Sequence, residues 1–515
     1  MASAAATPAQ GRGAATSGWP GTLWPGVAGG APAAPSATDC RRPPAAFEVA
    51  GYESTAPMPG RTHLLPMPAR ATAAAADAPA ARSDTATAED RARAVAGAAA
   101  RARADAAGVA RAAAEAARER HAAAPPPPPP APTAAPLAAP GLPGVAPAPW
   151  KPQQPIAAGA TAAAARPADE PVSAGMVDDN ADFGEYLAYR QRWPQIPRRD
   201  LDVAARVLLD VRDDAGRAVP DAQVRVRAGG RELPLWARTD ASGTAWLMPQ
   251  GDSALAAAQR YEVEVSRGGA STRVLWQPGQ KDRLQARIAA AASERARLDL
   301  VFLVDATGSM GDEIDKLKRS MREVAEQIAR MPAKPDLCFG LVAYRDRGDE
   351  FFVRGADLTS DLGAFRAVLE RLQAGGGGDY PEALNEALHT AVHRISWRGE
   401  GTARLVVLVA DAPPHLDYPG PQYDQDLRAA QARGIKLFSV GASGLNPQGE
   451  YIFRQMAQFT GGRFVFLTYE QANRPASGPG RETVHDVRNY SVETLDKLLV
   501  RLVGEEMARW PQAAP

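Results

Sequence analysis

The stretch from Leu298 to Met310 reads LDLVFLVDATGSM and constrains the fold more than any other part of the sequence. Its first half is a short, mostly apolar run with β-branched residues, a pattern typical of a strand buried on both faces of a sheet. The run ends in Asp305, Thr307 and Ser309, three oxygen-bearing side chains at alternate positions. A helical pattern follows over 311–330, so these oxygens are predicted between the carboxyl end of a strand and the start of a helix. Open α/β sheets bind their ligands at that position.

Strands alternate with helices across 296–470. The apolar runs DLCFGLVAY, ARLVVLVA, IKLFSVGA and RFVFL have the length of buried strands, and amphipathic segments separate them. A further run, FFVRGADL, is predicted as a short edge strand. This order predicts an α/β fold class with a doubly wound, mostly parallel sheet and right-handed crossovers.

The motif Asp305-x-Thr307-x-Ser309 resembles the D-x-S/T-x-S sequence that opens the metal-ion-dependent adhesion site of von Willebrand factor type A (vWA) domains. Together with AYRDRGD, GGGGDYPEAL and VADAPPH, it makes 298–469 similar to a bacterial-type vWA subfamily, like the one attached to some atypical alpha-kinases. The resemblance implies Mg²⁺, or alternatively Mn²⁺ or Ca²⁺, bound by Asp305, Thr307 and Ser309. It also implies that Asp411 reaches the metal through water. Such cations take about six hard oxygen ligands.

The third loop of that site departs from the family pattern. The family places a Thr after a Gly-rich turn, whereas 375–382 reads GGGGDYPE and contains no Thr. Asp379 is the candidate replacement ligand, and capping of the following helix is an equally weighted alternative for it. An extra carboxylate would neutralise more of the cation's charge and make the metal less electrophilic toward an acidic ligand.

Several polar groups also have simpler explanations. The Asp-x-Thr-x-Ser motif could cap a helix, but the preceding strand and Asp411 favour the metal site. His389 and His393 have the i, i+4 spacing of zinc ligands, but no third ligand is near in sequence, so a solvated helix face is favoured. His415 could line the rim of the metal site or order its loop. The RGD tripeptide at 347–349 matches a sequence that integrins read, and a three-residue match arises often by chance.

The rest of the chain differs from this domain in composition. Residues 1–197 are rich in Ala and Pro and are predicted to be disordered, with an Ala-rich helix possible at 84–124. Residues 198–290 alternate apolar and polar positions between turn signals. They predict a small all-β sandwich that resembles carboxypeptidase regulatory-like and immunoglobulin-like domains. Residues 471–515 predict a linker and an amphipathic C-terminal helix that packs on a preceding domain.

Charge and cysteine content exclude some classes of function. Lys and Arg number 59 and Asp and Glu number 59, so the formal net charge is zero and gives no electrostatic case for a nucleic-acid partner. No transmembrane segment or signal peptide is visible, so a cytoplasmic location is the default, with the cell envelope or secretion as the alternative. The two cysteines, Cys40 and Cys338, predict no disulfide framework, and Cys338 is expected to be a small buried apolar residue.

These features predict a non-catalytic, metal-dependent protein-binding module. A protein partner would present an acidic side chain that completes the coordination of the divalent cation. No nucleophile–base pair or phosphate-binding loop is visible, so no enzymatic activity is expected. The alternatives are an adaptor subunit for an ATPase complex and, less favoured, a metal-dependent hydrolase that uses bound water.

Overall fold

The computed structural model describes residues 40, 44–49, 171–204, 206–248, 260–279, 283–290, 296–331, 335–378 and 380–511. Its strands are β1 (Ala46–Val49), β2 (Ser173–Val177), β3 (Val207–Arg212), β4 (Gln223–Ala228), β5 (Arg231–Arg238), β6 (Thr244–Leu247), β7 (Tyr261–Arg267), β8 (Ala270–Trp276), β9 (Arg283–Arg287), β10 (Arg297–Asp305), β11 (Asp336–Tyr344), β12 (Val353–Thr359), β13 (Thr402–Ala410), β14 (Ile435–Gly441), β15 (Phe464–Thr468) and β16 (Glu493–Thr494). Its α-helices are α1 (Phe183–Arg192), α2 (Ile314–Ala329), α3 (Leu362–Glu370), α4 (Leu384–His393), α5 (Tyr423–Arg433), α6 (Pro447–Thr460) and α7 (Leu495–Ala508), with 3₁₀ helices at Gly308–Asp312 and Pro475–Ser477.

A nine-stranded sheet forms the centre of the structure, in the order β1-β12-β11-β10-β13-β14-β15-β2-β16. Five adjacent strands in this sheet pair in parallel, namely β11, β10, β13, β14 and β15. The strands at both edges pair antiparallel to their neighbours. The predicted α/β class with a largely parallel sheet is therefore confirmed.

The apolar composition of β10 follows from its central position. Successive side chains of a strand point to opposite faces. Val301 and Leu303 join a core cluster with α4, α5 and α6, whereas Phe302 and Val304 join a second cluster with α2, α3 and α7. Burying each such side chain contributes about 1.5–3 kcal/mol. A strand covered by helices on both faces therefore needs apolar residues at almost every position, which is the pattern that its sequence shows.

Local sequence signals fix the ends of the helices around the sheet. The side chain of Asp361 accepts a hydrogen bond from the Ala364 N–H and caps α3. Asn446 caps α6 in the same way through the Gly449 N–H, and such caps satisfy N–H groups that have no partner within the helix. Gly434 ends α5 in the left-handed conformation, at φ 70°, which glycine adopts without steric cost.

Two predictions about the edges of the sheet need correction. Strand β12 was predicted at an edge, but β1 pairs with it antiparallel and covers it. Strands β1 and β2 both come from 1–197, which was predicted to be disordered, and β2 pairs with β15. The sheet of the α/β domain thus extends beyond the predicted limits of 296–470. An exposed edge offers unpaired N–H and C=O groups, and distant segments of four or five residues satisfy them here. The remainder of 1–197, including the helix predicted at 84–124, lies outside the described residues, apart from 40, 44–45 and 171–197.

The expectation about the cysteines was wrong in one respect. Cys338 is buried as predicted, but it forms a disulfide with Cys40. The two residues are 298 positions apart in sequence, and pairing of β1 with β12 brings the chain near Cys40 alongside the sheet. Composition and spacing give no sign of a contact between segments so far apart.

Strands β3 to β9 form two small sheets, in the orders β6-β3-β9 and β5-β4-β7-β8. Alternate side chains of both sheets, such as Leu209, Val224 and Val263, join one core cluster. The period of two in the sequence therefore has the predicted physical cause, because one face of each strand is buried. The family assignment of this region stays a prediction.

A buried ion cluster joins the four-stranded small sheet to the large one. Asp221 precedes β4 and accepts hydrogen bonds from Arg404 of β13 at 2.9 Å and from Arg238 of β5 at 2.8 Å. Its other carboxylate oxygen accepts the Gly401 N–H at 2.8 Å. Burial alone would raise the pKa of Asp221, but the charges of Arg404 and Arg238 lower it overall. The carboxylate is therefore stabilised in its charged form.

We expect the substitution Asp221→Ala to destabilise the protein strongly. It leaves two buried guanidinium groups without their partner, which typically costs about 3–5 kcal/mol. Equilibrium denaturation measures this loss in the free energy of unfolding. Asp214→Ala removes an exposed carboxylate from the same region and should change the free energy of unfolding little. Equal effects of the two substitutions would contradict the assigned role of Asp221.

Candidate metal centre

Two aspartates meet at the carboxyl edge of the central sheet. Asp305 is the last residue of β10, and Asp411 directly follows β13. The two strands are hydrogen-bonded neighbours with Val304 paired to Val409. Asp305 is 0% exposed and Asp411 3% exposed. Parallel pairing of two strands therefore places two carboxylates side by side in a buried position.

The turn after β10 brings the three predicted oxygen groups together. Thr307 donates to Asp305 Oδ1 twice, from its N–H at 2.9 Å and from its hydroxyl at 2.7 Å. The Ser309 hydroxyl lies 3.0 Å from Thr307 Oγ1. Oδ1 of Asp305 is thus oriented by the loop, and within the described residues Oδ2 has no hydrogen-bond partner.

The Gly-rich loop is packed against this turn. The Gly376 carbonyl accepts the Gly308 N–H at 2.9 Å, and the Gly375 N–H donates to the Ala306 carbonyl at 3.0 Å. A Cβ on Gly377 would lie 2.8 Å from Glu382 Oε1 and 3.0 Å from Thr307 Cβ. Only glycine permits this close approach, and the loop therefore brings Glu382 against Thr307. Asp379, the predicted ligand of this loop, lies outside the described residues.

Glu382 is the acidic residue of the site that sequence reasoning missed. Its N–H donates to the Pro413 carbonyl at 3.1 Å, and its carbonyl accepts the His415 N–H at 3.2 Å. These bonds attach the loop to the segment that follows Asp411. The side chain is buried, and Oε2 has no hydrogen-bond partner in the part of the chain that the structure describes. The available signal was a second carboxylate in GGGGDYPEAL, one position after a proline.

Burial and the charges of nearby carboxylates raise the pKa of all three carboxyl groups. Burial and the charge of Asp411 raise the pKa of Asp305 to about 7, although hydrogen bonds from Thr307 oppose the shift. The pKa of Asp411 rises to about 6 through burial, with the Ser309 hydroxyl opposing it. The pKa of Glu382 rises to about 9, through burial and then through the charges of Asp305 and other nearby aspartates. The influences that oppose the shift at Asp305 and Asp411 are hydrogen bonds, whereas the charges of Arg404 and Arg238 lower the pKa of Asp221.

The donor set fits a hard divalent cation. Asp411 Oδ1 is buried and, among the described residues, has no hydrogen-bond partner, like Asp305 Oδ2 and Glu382 Oε2. Buried carboxylate oxygens normally have partners, and a divalent cation is a partner that suits them. Carboxylates and hydroxyls are the ligand types that Mg²⁺, Mn²⁺ and Ca²⁺ prefer. The site therefore has the chemistry expected for such an ion.

The AYRDRGD stretch holds the loops of this site in place. Arg345 donates to the Ala306 carbonyl at 3.1 Å and to the Gln373 carbonyl at 2.9 Å. Asp349 Oδ2 accepts the Gly377 N–H at 2.8 Å and the Asp346 N–H at 2.9 Å. The aspartate of the RGD tripeptide is thus bound within the protein itself, which supports the interpretation of the tripeptide as a chance match.

His415 lies among aromatic and acidic groups at the rim. Its ring stacks on Tyr418 with centroids 3.6 Å apart, and Nε2 lies 3.5 Å from Asp346 Oδ2. Burial acts to lower the pKa of His415, but hydrogen bonds to Asp346 and Asp417 raise it overall. These contacts connect the loop after β13 to the AYRDRGD stretch, so His415 orders the loop.

A parallel α/β sheet with a carboxylate–hydroxyl cluster at its carboxyl edge defines the class of domain in this region. Residues 299–415 match the family model described as von Willebrand factor A domain. Human von Willebrand factor A domain-containing protein 7 is 38% identical over 239 residues, which are 41% of this chain and 25% of that protein. The match supports a von Willebrand factor A domain here, a kind of domain that mediates protein interactions and is often metal-dependent.

Two further relatives match over a smaller share of their own length. Alpha-protein kinase vwkA of Dictyostelium discoideum is 31% identical over 149 residues, covering 27% of this chain and 22% of that protein. Mouse hemicentin-1 is 24% identical over 174 residues, covering 34% of this chain and 3% of that protein. The chain thus spans a quarter or less of each of the three relatives. All three are eukaryotic, so they do not support the bacterial type that the sequence motifs suggest.

We expect Glu382→Gln to stabilise the metal-free protein. The substitution removes a carboxyl group whose ionisation is disfavoured by burial and by four neighbouring aspartates. Since one unit of pKa shift corresponds to about 1.4 kcal/mol, the melting temperature in EDTA at pH 8 should rise measurably. The exposed control Glu370→Gln should leave it unchanged. In saturating Mg²⁺ the gain should shrink or reverse, because the cation neutralises the cluster; a lower melting temperature in EDTA would contradict the assignment.

Proposed function

We propose that this protein is a non-catalytic binding module whose divalent cation is completed by an acidic side chain of a protein partner. The observation that carries the proposal is the group of three buried carboxylate oxygens without hydrogen-bond partners in the described residues, on Asp305, Asp411 and Glu382. Their pKa values are all raised, because burial and the charges of nearby carboxylates disfavour the charged forms. A bound cation relieves both problems.

In this proposal the cation is Mg²⁺, with Mn²⁺ and Ca²⁺ as substitutes. Asp305, Thr307, Ser309 and Asp411 hold it, and Asp379 remains a candidate ligand of the third loop. Glu382 adds a carboxylate from the described part of that loop. Bound there, the cation supplies positive charge for an incoming carboxylate. These ligands would orient the cation. Arg345 and the Gly-rich loop hold the turn that carries Thr307 and Ser309 in position.

An exposed aromatic residue supports a protein partner rather than a small ligand. Tyr380 is 44% exposed, although its hydroxyl is anchored by the Asn446 N–H at 3.0 Å and donates to the Asp411 carbonyl at 3.2 Å. Aromatic side chains with fixed geometry are frequent energetic centres of protein interfaces. Tyr380 would therefore provide apolar contact next to the charged centre.

The two small sheets are proposed to be a β-sandwich that acts as a docking or spacing module. Asp221 and Arg404 join it to β13, and Lys436 of β14 bridges Asp240 at 3.2 Å and Glu506 at 2.7 Å. These buried ion pairs fix its orientation on the large sheet. Within the described residues no helix is long and apolar enough to cross a membrane.

A thermal melt tests the metal site. Mg²⁺ that binds only the native state should raise the melting temperature of the wild-type protein after EDTA treatment, by mass action. Asp305→Ala should abolish this rise, whereas Asp315→Ala removes an exposed carboxylate of α2 and should retain it. A rise of the same size in Asp305→Ala would exclude the assigned ligands.

A binding experiment tests the partner. A displayed library of peptides with and without Asp and Glu can be selected on the wild-type protein in Mg²⁺ and again in EDTA. We expect acidic peptides to be enriched only in Mg²⁺. The Asp305→Ala protein should not bind these peptides, and the wild-type protein should not bind versions in which Asp and Glu are replaced by Asn and Gln. Glu382→Gln should strengthen binding, because it removes a negative charge that competes with the peptide. Enrichment that does not depend on the metal would contradict the proposal.

A further inference from the structure

A second group of potential metal ligands lies between α4 and α5. His389 and His393 occupy successive turns of α4, and Asp426 lies in the first turn of α5. His389 Nδ1 and His393 Nε2 each lie 3.0 Å from Asp426 Oδ1, and the two rings stack with centroids 4.4 Å apart. The solvated helix face expected from the sequence is wrong, since His389 is 7% exposed. The missing third ligand comes from another helix, 33 residues after His393.

We propose that His389, His393 and Asp426 bind a zinc ion, at a site separate from the carboxylate cluster around Asp305. The three ligand atoms lie within 4.8 Å of one another. Tetrahedral zinc with bonds of about 2.0–2.1 Å places its ligand atoms roughly 3.3 Å apart. The 3.0 Å separations between nitrogen and oxygen therefore need only a small opening to admit the ion.

The second carboxylate oxygen of Asp426 is an independent observation that points to a ligand. The side chain is 2% exposed, and Oδ2 has no hydrogen-bond partner among the described residues. Two imidazole nitrogens converge on the other oxygen of the same carboxylate. A cation placed between these groups would contact both rings and could also use the free oxygen.

The types of donor atom select the metal. Two imidazoles with one carboxylate suit zinc, whereas Mg²⁺ and Ca²⁺ prefer ligand sets made of oxygen. The side chain of His393 is 22% exposed, which leaves a route for entry and space for water as a fourth ligand. The site is therefore expected to respond to Zn²⁺ and to ignore the Mg²⁺ that the first site takes.

Zinc binding would fix the tautomer of His393 next to the charged side chain of Arg433. Arg433 Nη2 lies 3.5 Å from His393 Nδ1, and Nη1 of the same residue donates to the Val392 carbonyl at 2.9 Å. Zinc on Nε2 leaves the His393 proton on Nδ1, so Nη2 must turn away while Nη1 keeps its bond. Asp424, two residues before Asp426, adds negative charge nearby and favours the cation.

The position in the fold indicates a structural role for the ion. Helix α4 begins two residues after Glu382 and ends at His393. A ten-residue helix is about 15 Å long, so the zinc would lie at the end of α4 remote from the carboxylate cluster. There it would join α4 to α5 and fix the helix that carries the third loop of the first site.

The test uses the full chain in an Asp305→Ala background, which removes the first site as a zinc ligand. After treatment with a chelator, zinc bound per chain is measured by competition with a chromogenic chelator. Co²⁺ is added in a parallel sample to record the visible absorption of a tetrahedral site. We expect one zinc per chain and a tetrahedral cobalt spectrum. His393→Gln and Asp426→Asn should each lose both signals.

The control variant is His485→Gln. His485 is also a buried histidine beside a carboxylate, with Nδ1 3.1 Å from Glu450 Oε2, but it is not part of the three-residue group. It should retain the zinc.

Circular dichroism confirms that each variant is folded, which is expected for His393→Gln because its side chain is partly exposed. The proposal would be overturned if folded Asp305→Ala protein bound no zinc. It would also be overturned if zinc binding persisted after His393→Gln or Asp426→Asn was added to that background. The Mg²⁺-dependent melt of the single variant His393→Gln should match that of wild type, so the two sites are tested separately.

Discussion

The parallel pairing of β10 with β13 is the interaction on which the candidate metal centre depends. It sets the ends of the two strands side by side, and Asp305 and Asp411 emerge there together. The Gly-rich loop and Arg345 contact the turn that follows β10 and keep it in place. The Gly-rich loop and Arg345 contact backbone groups of this turn, and the position of the turn itself follows from the strand pairing. The same pairing needs apolar side chains on both faces of β10, and therefore helices on both faces of the sheet.

Two equally buried aspartates show what distinguishes a functional carboxylate from a structural one. Asp221 lies between Arg404 and Arg238, and their charges lower its pKa despite its burial. Asp305 has Asp411 as its charged neighbour, and burial with that charge raises its pKa to about 7. The first arrangement stabilises the protein without any ligand. The second is unfavourable in the isolated chain, which is expected where a ligand supplies the missing charge.

Sequence reasoning was most successful where the relevant residues are close in the chain. Asp305, Thr307 and Ser309 could be placed at one turn because a strand, a turn and a helix follow one another directly. The strand ends also placed Asp411. Glu382 was missed because its approach to Thr307 depends on glycines that admit it, and nothing local marks that contact.

Long-range contacts account for the other errors. Strand β1 covers β12 from more than 300 residues away in the chain, and its composition resembles the Ala- and Pro-rich segments around it. Cys40 meets Cys338 only because that strand pairs. Asp426 joins His389 and His393 only when α5 packs on α4. The spacing of the histidines shows only the local part of this group, since a group completed by tertiary packing has no sequence spacing to detect.

Helix α4 connects the two sites physically. Its N-terminal end follows Glu382, whose pKa is raised by burial and by the charges of nearby aspartates. Its C-terminal end carries His393, which contacts Asp426 of α5. Repulsion at the first site acts to push the loop of Glu382 outward, and a helix held at its far end limits how far that loop can move. The oxygen ligands of one site and the nitrogen ligands of the other also prefer different metals. In the proposed arrangement, occupation of the second site would hold the first in shape without competing for its ion.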